Sequence, residues 1–235
     1  MILQINSISY DEPRISLNQL SEFPFASPRK KIEILYDQKY GNSFRAPYYT
    51  LALAACLRSF HDGKFDKQML SDEAEKISLL TAKNRQQETK HANNVLAVQK
   101  LLEIGADADP LPGKHRLIRQ NAWFRLNGVV ISARPEIVTD NIQSGHFAFT
   151  KLRFSKSKVS ADAQEIALLV LLYYGQQQDH DDLIFSIEKS KLVDCFSKSV
   201  IHGHSLTRFR YQQLQEALAE ICILWPQIAH KNEIG

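Results

Sequence analysis

No apolar run in the sequence approaches the roughly 20 residues that a helix needs to cross a bilayer, so no membrane partner is expected. The first residues, MILQINSISYDEPR, lack the basic-then-apolar pattern of an export signal, and a cytoplasmic location is expected. Cysteine is scarce: Cys56, Cys195 and Cys222 are an odd count without C-x-x-C spacing, which argues against a disulfide frame or a zinc ribbon. Reduced, mostly buried thiols are the expectation. Neither G-x-G-x-x-G nor G-x-x-x-x-G-K-[ST] occurs, so a nucleotide-binding loop is not expected. Internal repeats and low-complexity tracts are also missing. Charge of one sign is not in excess: a formal +3 on 235 residues is too small by itself to establish a nucleic-acid partner. Clustering of the bases matters more than their sum.

What is present is ordinary globular material, 44% apolar and 23% charged, enough for a sizeable core. The expected fold class is α/β (α+β), with an N-terminal helical lobe followed by a mixed-sheet core flanked by helices. Residues 1–26, with Pro13 and Pro24, read as an N-terminal strand or arm packed on the body. Residues 27–106 read as the helical lobe. Its helices are expected to start at Ser27-Pro28, to run from about Ala46 to Phe60, from Lys67 to about Leu80, and from Arg85 to Ile104. Residues 107–235 read as the α/β body. There the pattern turns strand-like from His115, with Asn127-Gly128 as a hairpin signal and DNIQSG as a turn. Ser160 caps a helix apolar nearly all round, a strand is expected within Lys191–Ile201, and a last helix runs from about Thr207.

The candidate site lies between Gly128 and Gln178. One strand, GVVISA, is followed by Arg134, Pro135 and the acid Glu136. Another, HFAFTKLRFSK, ends among Lys151, Arg153, Lys156 and Lys158. Strand alternation sets Leu152, Phe154 and Lys156 on one face and Lys151 with Arg153 on the other. The order helices, β meander, buried helix, strand, helix resembles the PD-(D/E)XK nuclease superfamily, RecB-type branch, over roughly residues 115–230. By that resemblance Glu136 stands for the first metal-binding acid and Lys156 for the lysine of (D/E)-x-K. Gln164 and Tyr173 or Tyr174 stand for the glutamine and tyrosine of the following helix.

The resemblance implies catalytic roles for Glu136, Lys156 and Gln164 with Mg2+ as cofactor, since carboxylate-held divalent cations activate water for phosphodiester hydrolysis. Two before Lys156, however, stands Phe154, and a phenyl ring cannot ligate magnesium. Asp140, Asp162 or Glu165 could supply a relocated carboxylate, with Glu136, Asp162 and Glu165 as the metal set. Lys151, Arg153, Lys158 and Arg134 are the candidate nucleic-acid contacts. The bland alternatives stay open: Glu136 pairing with Arg134, Arg153 or another surface base, Lys156 capping the strand, Gln164 on a helix surface, Tyr173 and Tyr174 in the core. Three function classes follow. One is a catalytically degenerate nuclease-fold protein that binds nucleic acid or scaffolds a larger bacterial processing or defence complex. The others are an active Mg2+-dependent nuclease and a protein-interaction module, as homo-oligomer or hetero-complex, working through the helical lobe. The turns HGHS, with His202 and His204, and DHDD, with His180 and Asp181, offer metal-ligand types, but no further ligands are evident. The nuclease reading requires the strands ending at Glu136 and Lys156 to be neighbours in one sheet, covered by the helix from about Ala161.

Overall fold

The computed structural model describes residues 11–40, 48–61, 64–109, 113–118, 122–156, 159–178, 183–203 and 207–228. Its N-terminal part is β1 (Arg14–Ser16), α1 (Leu17–Glu22) and, after a 3-10 turn at Phe23–Phe25, α2 (Pro28–Tyr40). Ser16 caps α1 by accepting from the Gln19 amide. Ile15, Leu20 and Phe23 are fully buried, so residues 14–25 form a strand, a short helix and a 3-10 turn built into the core.

Three helices follow: α3 (Thr50–Arg58), α4 (Lys67–Ser78) and α5 (Arg85–Ile104). Between the first two lies the hairpin β2 (Phe60–His61) with β3 (Lys64–Phe65). It ends α3 two residues before the expected Phe60, because Phe60 pairs with Phe65 instead. Asp66 and Asn84 cap α4 and α5, and Gly105, at φ 68°, closes α5 in the left-handed region.

The strands are β4 (Lys114–Leu117), β5 (Ala122–Leu126), β6 (Val129–Ala133), β7 (Ile137–Asn141) and β8 (His146–Arg153). After α6 (Ala161–Gln176) come β9 (Ile184–Phe185), β10 (Lys191–Asp194), β11 (Ser199–His202) and α7 (Arg208–Leu224). They form two larger sheets. In the six-stranded sheet the order is β11-β10-β8-β7-β4, with β9 beside the start of β8. The β4-β7-β8 and β10-β11 pairings are antiparallel, and β8-β10 is parallel. The three-stranded sheet, β1-β6-β5, is separate. Its β5-β6 hairpin turns on Asn127 and Gly128, both at positive φ, as the dipeptide leads one to expect.

Period-two alternation divides the six-stranded sheet into two apolar faces. Phe147, Phe149 and Val138 face a core made with α1, α6, α7 and the small sheet. Ile137, Leu152 and Val193 face a second core made with α3, α4 and α5. Each core draws residues from both sides of position 107, so the helices of residues 50–104 form one layer over the sheet. The other layer includes α6, whose Ile166, Leu168, Leu169, Val170 and Leu171 are wholly buried, as its all-round apolar sequence requires.

Candidate functional site

Glu136 does not close β6. It stands just before β7, while β6 belongs to the small sheet with β1 and β5. The expectation that the strand GVVISA neighbours the strand carrying the bases therefore fails, because a separate strand, β7, follows Glu136. That strand lies beside β8, with Ile137 opposite Thr150. Residue 136 thus meets β8 one position further on. Its side chain takes over where backbone pairing stops: Oε2 accepts from the Leu152 amide at 2.7 Å and Oε1 from Lys151 Nζ at 2.8 Å. Lys151 also donates to the Arg134 carbonyl at 2.9 Å, and Arg134 Nε lies 3.8 Å from Oε1. Glu136 is only 2% exposed.

Lys151 and Arg153, expected to meet phosphate, are instead buried in ion pairs at 8% and 5% exposure. Arg153 donates to Asp194 Oδ2 at 2.8 Å across the β8-β10 pairing and reaches Glu22 of α1 at 3.4 Å. Asp194 is further held by the Phe196 and Ser197 amides. A phosphate could reach either base only by breaking these contacts, and taking one partner from a buried pair is expensive. Lys156 lies beyond the end of β8, exposed, with Nζ 2.6 Å from Asn93 Oδ1 of α5. Phe154 packs into the core beneath α3–α5, near Tyr49. Neither Lys156 nor Phe154 is what Glu136 touches. Lys158, His180, Asp181 and His204 lie outside the described residues.

The proposed replacement acids do not join Glu136. Asp162 and Glu165, on α6, both bind Arg210 of α7, Glu165 at 2.8 Å. Asp140 pairs with Arg116 at 3.0 Å. Among the described residues, no group of three or more His, Cys, Asp and Glu side chains is placed to hold a metal ion. The residues around Glu136 do not fit a divalent cation, because the Lys151 ammonium lies against its carboxylate. Gln164 is buried, donating to the Val159 carbonyl at 3.3 Å, and its Oε1 has no partner. Tyr174 packs against Phe124 and Phe149, and burial raises its hydroxyl pKa. Burial likewise pushes the Cys56 and Cys195 thiols far up, which removes them as nucleophiles at neutral pH.

Sequence reasoning missed Asp194, Glu22 and Arg210, the partners that absorb its candidate residues. Each is distant in sequence, and only strand register or helix packing brings it near. Comparison with protein-family models finds none that matches the chain, and comparison with curated proteins finds no match either. Among the described residues, no helix is long and apolar enough to cross a membrane.

Proposed function

We propose that the chain is a catalytically inactive nuclease-fold protein that binds nucleic acid as part of a larger processing or defence assembly. One observation carries the loss of catalysis: the cation against Glu136 is the Lys151 ammonium, 2.8 Å from Oε1. The strand GVVISA does not meet the neighbour requirement, so what supports the nuclease resemblance is the element order alone: a β4-β7-β8 meander with Glu136 just before β7, buried α6 and parallel β10. The motif assignment changes, however. Read from Glu136 across the sheet, the segment Lys151-Leu152-Arg153 takes the place of (D/E)-x-K, with a base at the acid's position. A buried carboxylate neutralised by a lysine has no charge left for magnesium, and a divalent cation beside that ammonium would be repelled.

The test is cleavage of labelled single- and double-stranded DNA and RNA in magnesium or manganese. No cleavage is expected from the wild-type chain. Cleavage that disappears in both Glu136→Gln and Lys151→Ala would overturn the reading and require a carboxylate recruited from elsewhere.

A further inference from the structure

A groove of about 1120 Å³ lies where the start of α3 meets the α4-α5 connection and the first turns of α5. Leu51, Leu80 and Tyr48 give it apolar surface, and Leu80 and Tyr48 are 46% and 41% exposed. Thr81, Gln86 and Lys90 add a hydroxyl, an amide and a positive charge. Two further facts set this groove apart from an ordinary surface depression. His91 lines it and is buried, yet its Nδ1 makes no hydrogen bond. That nitrogen is enclosed by protein, so the imidazole forms a buried wall of the groove.

The second fact concerns charge. Asn93 donates at 2.8 Å to the hydroxyl of Tyr48, which lines the groove, and accepts from Lys156 Nζ at 2.6 Å. The amide positions the ammonium without neutralising it. Lys90 likewise forms no ion pair among the described residues. Two bases are thus held beside an exposed aromatic ring, apolar surface and hydrogen-bonding side chains.

We infer that this groove binds a single-stranded segment of nucleic acid. Unpaired bases stack on Tyr48 and cover Leu51 and Leu80, phosphates approach Lys90 and Lys156, and Thr81 and Gln86 hydrogen-bond to base edges. A duplex keeps its base faces stacked inside and could not use the ring. The volume exceeds the roughly 300–1,000 Å³ of single small-molecule pockets, which leaves room for more than one nucleotide. This inference rests on the nucleic-acid reading above, and relocates the contact from the buried bases of β8 to the α3-α5 surface.

Fluorescence anisotropy with the full chain tests it, using labelled single-stranded DNA and RNA decamers, a DNA duplex and a glutamate-rich decapeptide. The single strands should bind, with Tyr48→Ala and the Lys90→Ala/Lys156→Ala pair each weakening binding about tenfold. The lysine pair should also flatten the logarithmic salt dependence by about 1.4, at roughly 0.7 per phosphate contact in single strands. Gln86→Ala should weaken binding while leaving the melting temperature unchanged, and that readout separates ligand contact from misfolding. Single-strand binding untouched by these variants would overturn the groove but leave the nucleic-acid reading standing. Absence of binding to any nucleic acid would overturn both. Equal binding of the acidic peptide would overturn the groove as a nucleotide site and mark it as a surface for a protein partner.

Discussion

Lys151 and Lys156 stand five positions apart in sequence, and their surroundings are opposite. Lys151 is buried, its ammonium held between the Glu136 carboxylate and the Arg134 carbonyl. Lys156 is exposed, its ammonium held by the neutral amide of Asn93, which also bonds the groove residue Tyr48. The first arrangement consumes charge to join β7 to β8, and the second keeps charge available. A base close to an acid on a sheet therefore marks a structural joint here, whereas a base positioned by an amide keeps its charge unneutralised.

The largest effect should come from breaking the buried joint. Lys151→Met leaves Glu136, 2% exposed, without its nearest cation. An uncompensated buried charge costs about 3–5 kcal/mol. Denaturant melts should show a loss of that order, and Glu136→Gln in the same background should recover part of it, because the neutral amide can still accept from Leu152. A Lys151→Met protein as stable as wild type would mean that the pair does not hold the strands, and that Lys151 is free for another role.

Much of the fold was legible because its signals are local. The bounds of α5 follow from Asn84 as cap, helical spacing and Gly105 as stop, and the hairpin follows from Asn127-Gly128. Ser160 and Thr207 cap α6 and α7 by the same side-chain chemistry. The strand β7 was missed since Ile137–Asn141 is short, half of it polar, and adjoins turn residues. The single strand expected within Lys191–Ile201 is a hairpin, β10-β11, whose turn includes Lys198 at φ 55°. The sheet membership of β6 could not be read, because strand pairing depends on long-range register rather than on the strand's own residues. The candidate site suffered from the same cause. Glu136, Lys151 and Arg153 were all singled out, but that Lys151 answers Glu136, and Asp194 answers Arg153, is fixed only by register across β7, β8 and β10. His91 carried no signal at all: a histidine within a helix looks alike whether it fills a core or lines a groove.

The next effect is smaller and concerns pH. Burial lowers the His115 pKa below its ordinary 6.5, outweighing the opposing influence of Asp140. Its Nδ1 lies 2.9 Å from Thr139 Oγ1 and its Nε2 is buried without a partner, so protonation would bury a donor that has nothing to bond. With the folded pKa depressed, the unfolded chain takes up the proton first. The stability that the neutral ring contributes is therefore complete above about pH 6.5 and lost as pH falls through the lower folded value. Melting temperature should decline over that window in the wild-type chain and decline less in His115→Asn. An unchanged slope in the variant would place the titrating group elsewhere.

The smallest expected effect is the one that sharpens the contrast most. Lys90→Ala and Lys156→Ala remove charges that no carboxylate answers among the described residues, and Lys156 gives up only its bond to the Asn93 amide. Substitutions on an exposed surface away from caps and buried networks change stability by no more than about 0.5 kcal/mol. Both variants should therefore melt within that range of wild type, singly and together, at low and at moderate salt. If the two lysines repel one another, or repel other bases near the groove, the double variant should be slightly more stable than wild type, and the gain should vanish as salt screens the repulsion. A loss of 2 kcal/mol or more would show that Lys156 ties α5 to the end of β8 much as Lys151 ties β8 to β7. That contact would then be another joint of the fold rather than a charge held ready for a ligand.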